Sequence, residues 1–275
     1  MPNIRMKPYR HASSFRRIAA VAWDPPRDPT IYGTTQVPAA ALLEWIAAKR
    51  AAGTRVTVTH AVTRALAVAL AEHPDLNGFV RWGRLYLRED INIFLQVAIE
   101  REGESIGKTD LSGVLIRGAD GKDVATIADE LQQGARRVRS GEDADFQRTK
   151  SQAEAIPGLV YRVLIRLIEF LQYGLNMDTT FLGAPGDPFG SAMVTSLGMR
   201  GVNIAYAPFF PLARAPILLL VGAVQEVPAA VDGELVIRPE LTLNGTFDHR
   251  IIDGAHAAIL SARVRELLMD PALLD

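Results

Sequence analysis

The stretch Asp248-His249-Arg250-Ile251-Ile252-Asp253-Gly254 lies close to the C-terminus and follows a run of alternating residues at 234–243. Alternation of apolar and polar residues predicts a strand, so the motif is expected at a strand end. A neutral imidazole is well suited to accept a proton from a thiol or an alcohol near neutral pH. We therefore interpret His249 as a candidate general base. The alternative is a hydrogen-bonded core histidine.

Two further segments precede this motif in a fixed order. Residues 193–201 read Met-Val-Thr-Ser-Leu-Gly-Met-Arg-Gly, and residues 215–226 read Ala-Pro-Ile-Leu-Leu-Leu-Val-Gly-Ala-Val-Gln-Glu. With the histidine motif, they resemble T-I-S-x-L-G-x-x-G, A-P-x-x-A-I-L-x-V-G and D-H-R-x-x-D-G-A of the catalytic domain of the E2 acyltransferases of 2-oxo acid dehydrogenase complexes. Residues 56–77 and 89–98 also have counterparts in that family. The resemblance covers nearly the whole chain except about 155–190.

This resemblance implies a fold and an assembly. The expected fold class is α/β, an α+β two-layer sandwich like chloramphenicol acetyltransferase, with a mixed β-sheet and packed helices in a single E2-like domain over 1–275. A homotrimer with active sites between subunits is expected, and a larger cage is a further possibility. Local patterns agree with this fold. They predict helices at 38–52, 59–72 (with Thr59 as N-cap), 123–139 and 255–269, a strand at 91–99 and a hairpin at Asp232-Gly233.

Composition excludes several classes of function. Hydrophobic residues make up 48% of 275 positions, enough to bury a sizeable core. A net charge of -1 gives no long-range field for nucleic acid or an acidic membrane. The absence of cysteine excludes disulfides, thiolate metal sites and a cysteine nucleophile, and no other histidine stands at metal-ligand spacing. The N-terminus lacks the apolar core of a signal peptide and no transmembrane segment is expected, so the default location is cytoplasmic.

One apolar segment departs from the family pattern. Residues 156–174 predict a helix inserted where E2 domains have a short polar connection, with Arg162, Arg166 and Glu169 at helical spacing along one stripe. We favour a buried helix. The alternative is a surface that contacts a partner, an interface or a long acyl chain. A turn-rich loop at 183–190 follows, and together they could alter the mouth of the active site.

The resemblance also implies a mechanism of direct acyl transfer between thiols. His249 would remove the proton from the attacking thiol, and the thiolate would add to a thioester carbonyl. A hydroxyl would stabilise the resulting oxyanion. Thr195 stands where the family usually has serine and is the candidate for this hydroxyl, with Ser196 as the fallback. In the implied trimer, His249 of one subunit would face Thr195 of its neighbour.

Supporting roles are implied for the rest of the motif. Asp253 is too weak a base for a thiol and resembles a structural partner of an arginine, with Gly254 beside it. Arg16 is the candidate arginine, because residues 14–19 resemble the S-x-x-R-K/R-x-I-A segment that opens E2 catalytic domains. A solvated surface position is the alternative for Arg16.

We therefore predict a coenzyme A-dependent acyltransferase that moves an acyl group between coenzyme A and a thiol acceptor. Coenzyme A acts as a substrate, and a lipoyl group takes part only if another chain supplies it, because the sequence has no recognisable lipoyl domain or subunit-binding domain. The expected partner is a lipoylated or other acyl-carrier protein. Aspartate before His249 favours the E2 branch over chloramphenicol acetyltransferases and condensation domains, which have H-H-x-x-x-D-G. The alternative is a non-catalytic trimeric scaffold.

Overall fold

A six-stranded mixed sheet forms the centre of the molecule. The structure is a computed structural model that describes residues 28–99, 110–140, 157–180, 186–210 and 213–275. The sheet contains β1 (Thr30–Pro38), β4 (Ile93–Ile99), β5 (Asp110–Ile116), β6 (Ala192–Ser196), β7 (Ile217–Val231) and β8 (Glu234–Asp248). Its strand order is β1-β8-β7-β6-β4-β5. The strand β6 runs parallel to both β4 and β7, and the other neighbours are antiparallel. A separate hairpin joins β2 (Gly78–Arg81) to β3 (Arg84–Leu87).

Five helices accompany the sheet in the described ranges. They are α1 (Ala40–Ala51), α2 (Val58–Glu72), α3 (Val124–Ser140), α4 (Gly158–Glu169) and α5 (Gly254–Met269). A π-helical turn, Phe170–Gly174, extends α4, and short 3₁₀ turns occupy Pro74–Leu76, Ala119–Gly121, Gly198–Arg200 and Pro271–Leu274. Within the described ranges, no helix combines the length and apolar character needed to cross a bilayer.

The central strands are buried on both faces. On one face, Ile217 and Leu219 of β7 belong to the main core, which also contains Leu66 of α2 and Leu260 of α5. On the other face, Leu218 packs with a smaller cluster that includes Met193, Ala215, Phe189 and Phe209. Because side chains alternate along a strand, burial on both faces requires the unbroken apolar run at 217–221. The mixed sheet with packed helices confirms the predicted fold class.

Most predicted elements are confirmed to within two residues at each end. The helices at 38–52, 123–139 and 255–269 correspond to α1, α3 and α5, and the strand at 91–99 corresponds to β4. The hairpin between β7 and β8 turns at Asp232 and Gly233, whose φ angles are 51° and 86°. Two successive positive φ angles are what a type I′ turn requires, and this is why Asp-Gly predicted it.

The predicted N-cap of α2 is wrong by two residues. Thr57, not Thr59, is the N-cap, because its backbone is extended and its side chain accepts a hydrogen bond from the backbone N–H of His60. In return, Nδ1 of His60 accepts the N–H of Thr57 at 3.2 Å. Both threonines precede the same apolar run, and only this reciprocal capping box distinguishes them.

His60 should make the free energy of unfolding depend on pH. Burial, followed by the charge of Arg50, lowers the pKa of His60 from 6.5 to about 4. Protonation therefore favours the unfolded chain, and stability should fall by roughly 3 kcal/mol in total as the pH decreases from about 6.5 to about 4. The variant His60→Gln keeps an acceptor in the capping box but cannot titrate. Urea unfolding should show a shallower pH dependence for this variant, and an unchanged dependence would contradict the assignment.

The helix α4 is not the buried helix that we favoured from the sequence. Glu169 is its only buried residue. Its exposed apolar side chains, together with Phe170 of the π turn, are Leu159 (77%), Val160 (58%), Val163 (64%), Leu167 (51%) and Phe170 (45%). The opposite face is half-buried against the rest of the chain. The alternative interpretation, a helix that contributes a surface, agrees better with these exposures.

Candidate active site

Two strands of the sheet, β6 and β8, carry the candidate residues at their C-terminal ends. Thr195 and Ser196 close β6, where Thr195 is half-buried and Ser196 is exposed. Thr195 pairs with Leu220 of β7 and Ser196 pairs with Val221. The strand β8 ends at Asp248, and His249 follows in a turn.

Two glycines fix the segment that follows Thr195. A Cβ on Gly198 would lie 2.6 Å from the carbonyl oxygen of Gly222, and a Cβ on Gly222 would lie 2.4 Å from the carbonyl oxygen of Asn203. Both separations are far below van der Waals contact, so the loop after β6 can approach β7 this closely only with glycine at both positions. This packing explains why the Ser-Leu-Gly and Leu-Val-Gly segments occur together in the sequence.

His249 is held by its backbone and presents its side chain to solvent. Its N–H donates to the carbonyl of Pro29 at 2.8 Å. The side chain is exposed, which does not fit a core histidine. On either side of it, Asp248 and Arg250 form an ion pair with a shortest N···O distance of 2.5 Å. These contacts fix the turn and leave the imidazole accessible.

His249 and Thr195 do not meet within one chain. Leu220, the partner of Thr195, pairs on its other side with Asn244 of β8. His249 lies five positions beyond Asn244, which corresponds to roughly 16 Å along the strand, and two strand spacings add about 10 Å across the sheet. A site that uses both side chains therefore needs a second copy of the chain.

Asp253 caps the N-terminus of α5. Its carboxylate accepts the N–H of His256 at 2.9 Å, and the N–H of Asp253 is directed to Nδ1 of His256 at 3.4 Å. The hydrogen bond from the backbone of His256 is the main cause of the lowered pKa of the Asp253 carboxyl. Gly254 begins the helix, where an added Cβ would meet no atom within 4 Å. Arg16, the predicted arginine partner, lies outside the described residues.

A cavity of about 240 Å³ adjoins the histidine segment. Asp248 and Arg250 line it, while the exposed imidazole of His249 is not part of the lining. Asp28 and Arg214 add one negative and one positive charge to this lining. Tyr32, Val80, Phe209 and Phe210 contribute aromatic and apolar side chains to the other walls.

Arg214 is a site residue that the sequence did not predict. It directly precedes the Ala-Pro-Ile-Leu segment. A charged residue immediately before an apolar strand was the sequence feature that could have identified it. Its partner is Glu169 of α4, with which it forms an ion pair. The sequence places Glu169 only in the polar stripe of its helix, because a contact between residues 45 positions apart leaves no local pattern.

The fold and the site define a class of protein. The chloramphenicol acetyltransferase structure superposes with a TM-score of 0.50 and 17% identity, over 88% of this chain and 89% of that one, so the fold is of this type. The family model of the 2-oxoacid dehydrogenases acyltransferase (catalytic domain) matches residues 24–150 and 189–274. The chain belongs to this family. The unmatched interval, 151–188, contains α4.

Relatives within the family are dihydrolipoyl acyltransferases. The acetyltransferase component of the acetoin cleaving system of Bacillus subtilis is 26% identical over 81% of this chain and 44% of its own length. The chain thus spans less than half of that relative. The dihydrolipoamide acetyltransferase of Azotobacter vinelandii superposes with a TM-score of 0.64 and 23% identity, over 90% of this chain and 85% of that one. That structure belongs to a study of a serine, a histidine and an asparagine in the enzyme's catalytic mechanism.

Proposed function

We propose that this chain transfers acyl groups between coenzyme A and a thiol acceptor, with His249 as the general base. The observation that carries the proposal is the fixed position and the exposed side chain of His249 in a chain of this family. Its backbone is fixed at the end of β8, and its imidazole is exposed with no side-chain hydrogen bond to any described residue. Such an imidazole is accessible to the proton of an incoming thiol.

The chemistry requires one base and one oxyanion donor. The imidazole of His249 accepts the thiol proton, and the thiolate attacks the carbonyl carbon of the thioester. The carbonyl oxygen becomes an oxyanion, which a hydroxyl stabilises because the hydroxyl is oriented before charge develops. The intermediate collapses with cleavage of the original carbon–sulfur bond, and the leaving thiolate takes the proton from the imidazolium.

Thr195 of a second copy is the proposed oxyanion donor, with Ser196 as the alternative. The separation of His249 and Thr195 along the sheet supports this division between copies, and a cyclic homotrimer is the assembly that we propose. Asp253 holds the start of α5 beside the histidine. In the Azotobacter vinelandii enzyme, the histidine and asparagine named for its mechanism are also four positions apart, as His249 and Asp253 are here.

A dihydrolipoyl group on another protein is the acceptor that we propose. The relatives are named as acyltransferases of dihydrolipoyllysine residues, with acetyl and succinyl among the acyl groups. In this chain, acyl-coenzyme A and a lipoylated or similar carrier protein would be the two exchanging partners. A cytoplasmic location remains a prediction.

An acyl-exchange assay tests this function. Acyl-coenzyme A thioesters from acetyl to long-chain would be offered with dihydrolipoamide and other small thiols, and release of coenzyme A would be followed. We expect saturable turnover of at least one thioester. Binding should also protect the protein from heating, by about 2.7 kcal/mol at a ligand concentration one hundred times Kd.

The scaffold alternative makes the opposite prediction. A non-catalytic scaffold would consume no thioester with any acceptor and would bind no coenzyme A in calorimetry. These two results together would contradict the acyltransferase proposal.

A further inference from the structure

Arg214 forms the wall between two cavities. The first is the cavity beside Asp248 and Arg250. The second, of about 290 Å³, lies between the β2–β3 hairpin and the α4 segment, which is α4 with its π turn (158–174). Arg214 and Val80 line both. A ligand group that extends from the first cavity toward α4 therefore passes Arg214 and Val80.

The α4 segment holds this guanidinium in place. Nη2 of Arg214 is paired with Oε1 of Glu169, and Oε2 of Glu169 accepts from Nη1 of Arg166 at 2.8 Å. The guanidinium carbon of Arg214 also lies 5.5 Å from the centre of the Tyr173 ring. The side chain of Glu169 is only 10% exposed, so the pair is shielded from solvent on the side of α4. A guanidinium fixed in this way is preorganised to bind a ligand.

Arg214 has donor capacity that the described residues do not use. A guanidinium has five N–H donors. Its Nε is buried and has no hydrogen-bond partner within the described part of the chain. The side chain as a whole is 31% exposed, so the guanidinium N–H groups that do not face Glu169 are accessible to a ligand.

The charge of the second cavity favours an anion. The charged residues that line the second cavity are Arg81, Arg166, Arg214 and Glu169, which leaves two positive charges in excess. Arg81 donates through Nε and Nη2 to the carbonyl of Gly174, a neutral acceptor that does not cancel its charge. A carboxylate matches both the charge and the planar geometry of a guanidinium.

The position of Arg214 indicates which part of the substrate it meets. The N–H of Asp248, at the histidine turn, donates to the carbonyl of Pro216 at 3.0 Å. Arg214 lies two residues before Pro216 and is therefore close to this turn along the chain. The phosphates of coenzyme A are separated from its sulfur by the long pantetheine arm. The distal end of a short acyl chain stays close to the thioester carbonyl.

We propose that Arg214 determines acyl-group specificity by binding the distal carboxylate of a dicarboxylic acyl group. This inference depends on the proposed function, because it assigns the acyl class that the same site transfers. Glu169 acts through Arg214 and is a positioning residue.

Matched pairs of thioesters test the inference. Succinyl- and butyryl-coenzyme A share one chain length, and glutaryl- and valeryl-coenzyme A share the next, so each pair differs only in the distal group. We expect the wild type to have a higher kcat/KM for the carboxylated member of each pair. In the double variant Glu169→Gln/Arg214→Gln, this preference should fall about ten- to hundredfold, as expected on losing a charge-assisted hydrogen bond. The double variant avoids leaving a buried carboxylate unpaired.

The chain offers a matched control for this double variant. Arg238 and Glu240 form another ion pair, at 2.6 Å, with side-chain exposures of 31% and 9%, against 31% and 10% for Arg214 and Glu169. The variant Arg238→Gln/Glu240→Gln removes the same two charges from β8, away from both cavities. It should leave the ratio of kcat/KM values unchanged.

Two outcomes would overturn the inference. Equal losses for both members of each pair would mean that Arg214 binds a part common to all acyl-coenzyme A thioesters, such as the phosphates. A wild type without preference for the carboxylated members would also exclude it.

Calorimetry separates the two proposals if no thioester turns over. Binding of succinyl- over butyryl-coenzyme A that depends on Arg214 would keep the anion site and reject the transferase, whereas equal binding would reject the anion site as well.

Discussion

Replacing His249 with alanine should lower kcat for acyl exchange by about two to four orders of magnitude, the range expected on removing a general base. The exposed imidazole is the only group that we assign to proton transfer, and alanine cannot accept the thiol proton. The fold should persist, because His249 is held through its backbone N–H to Pro29 and not through its side chain. Steady-state release of coenzyme A from the preferred thioester measures the effect.

His73→Ala provides the control for this variant. His73 follows α2 at its C-terminal end and lies outside the cavity beside Asp248 and Arg250. Its loss should leave kcat unchanged. If His249→Ala retained the rate of the wild type while thermal unfolding showed a native protein, then His249 would not be the base, and the scaffold interpretation would become the better one.

The parts of the fold that sequence analysis predicted correctly are those with local causes. The positive φ angles at Asp232 and Gly233 follow from residue type, and the apolar run at 217–221 reports a strand buried on both faces. The N-cap of α2 was predicted at the wrong residue, since threonine favours an N-cap at position 57 as well as at position 59. The choice depends on the side chain of His60, which few sequence rules treat as a capping partner.

The orientation of α4 could not be predicted from periodicity. Its sequence is apolar around most of its circumference, which normally indicates burial. In the structure, the position of Glu169 decides which face is turned inward, because its carboxylate pairs with Arg214. That partner is distant in sequence, and its position depends on the assembled sheet. The outward face, with Leu159 and Val163, is then left exposed.

The candidate site was predictable only in part for a similar reason. His249 lies in a short motif at a strand end and could be found from sequence. Its distance from Thr195 follows from the pairing of β6, β7 and β8, which requires the register of three strands.

Two inactive variants should restore activity when they assemble together. Thr195→Ala is expected to lower kcat by about 10² to 10³, the cost of losing an oxyanion donor. If each site takes its base from one copy and its hydroxyl from the next, a mixed oligomer of His249→Ala and Thr195→Ala chains contains a site with both side chains intact. In a cyclic trimer, every mixed assembly has one such site, so about one third of the wild-type activity should return.

Co-expression of the two variants with different affinity tags, followed by purification on both tags, yields only mixed oligomers for this measurement. The control pairs His249→Ala chains with chains that carry both substitutions, and these oligomers should stay inactive because no copy supplies the imidazole. In a second mixture, Ser196→Ala chains replace the Thr195→Ala chains. Of these two variants, only the one that lacks the oxyanion donor should be inactive by itself, so the comparison identifies the donor. Mixed oligomers no more active than their parents would mean that His249 and Thr195 do not act together across subunits. The separation of these residues along the sheet would then exclude Thr195 as the oxyanion donor for His249.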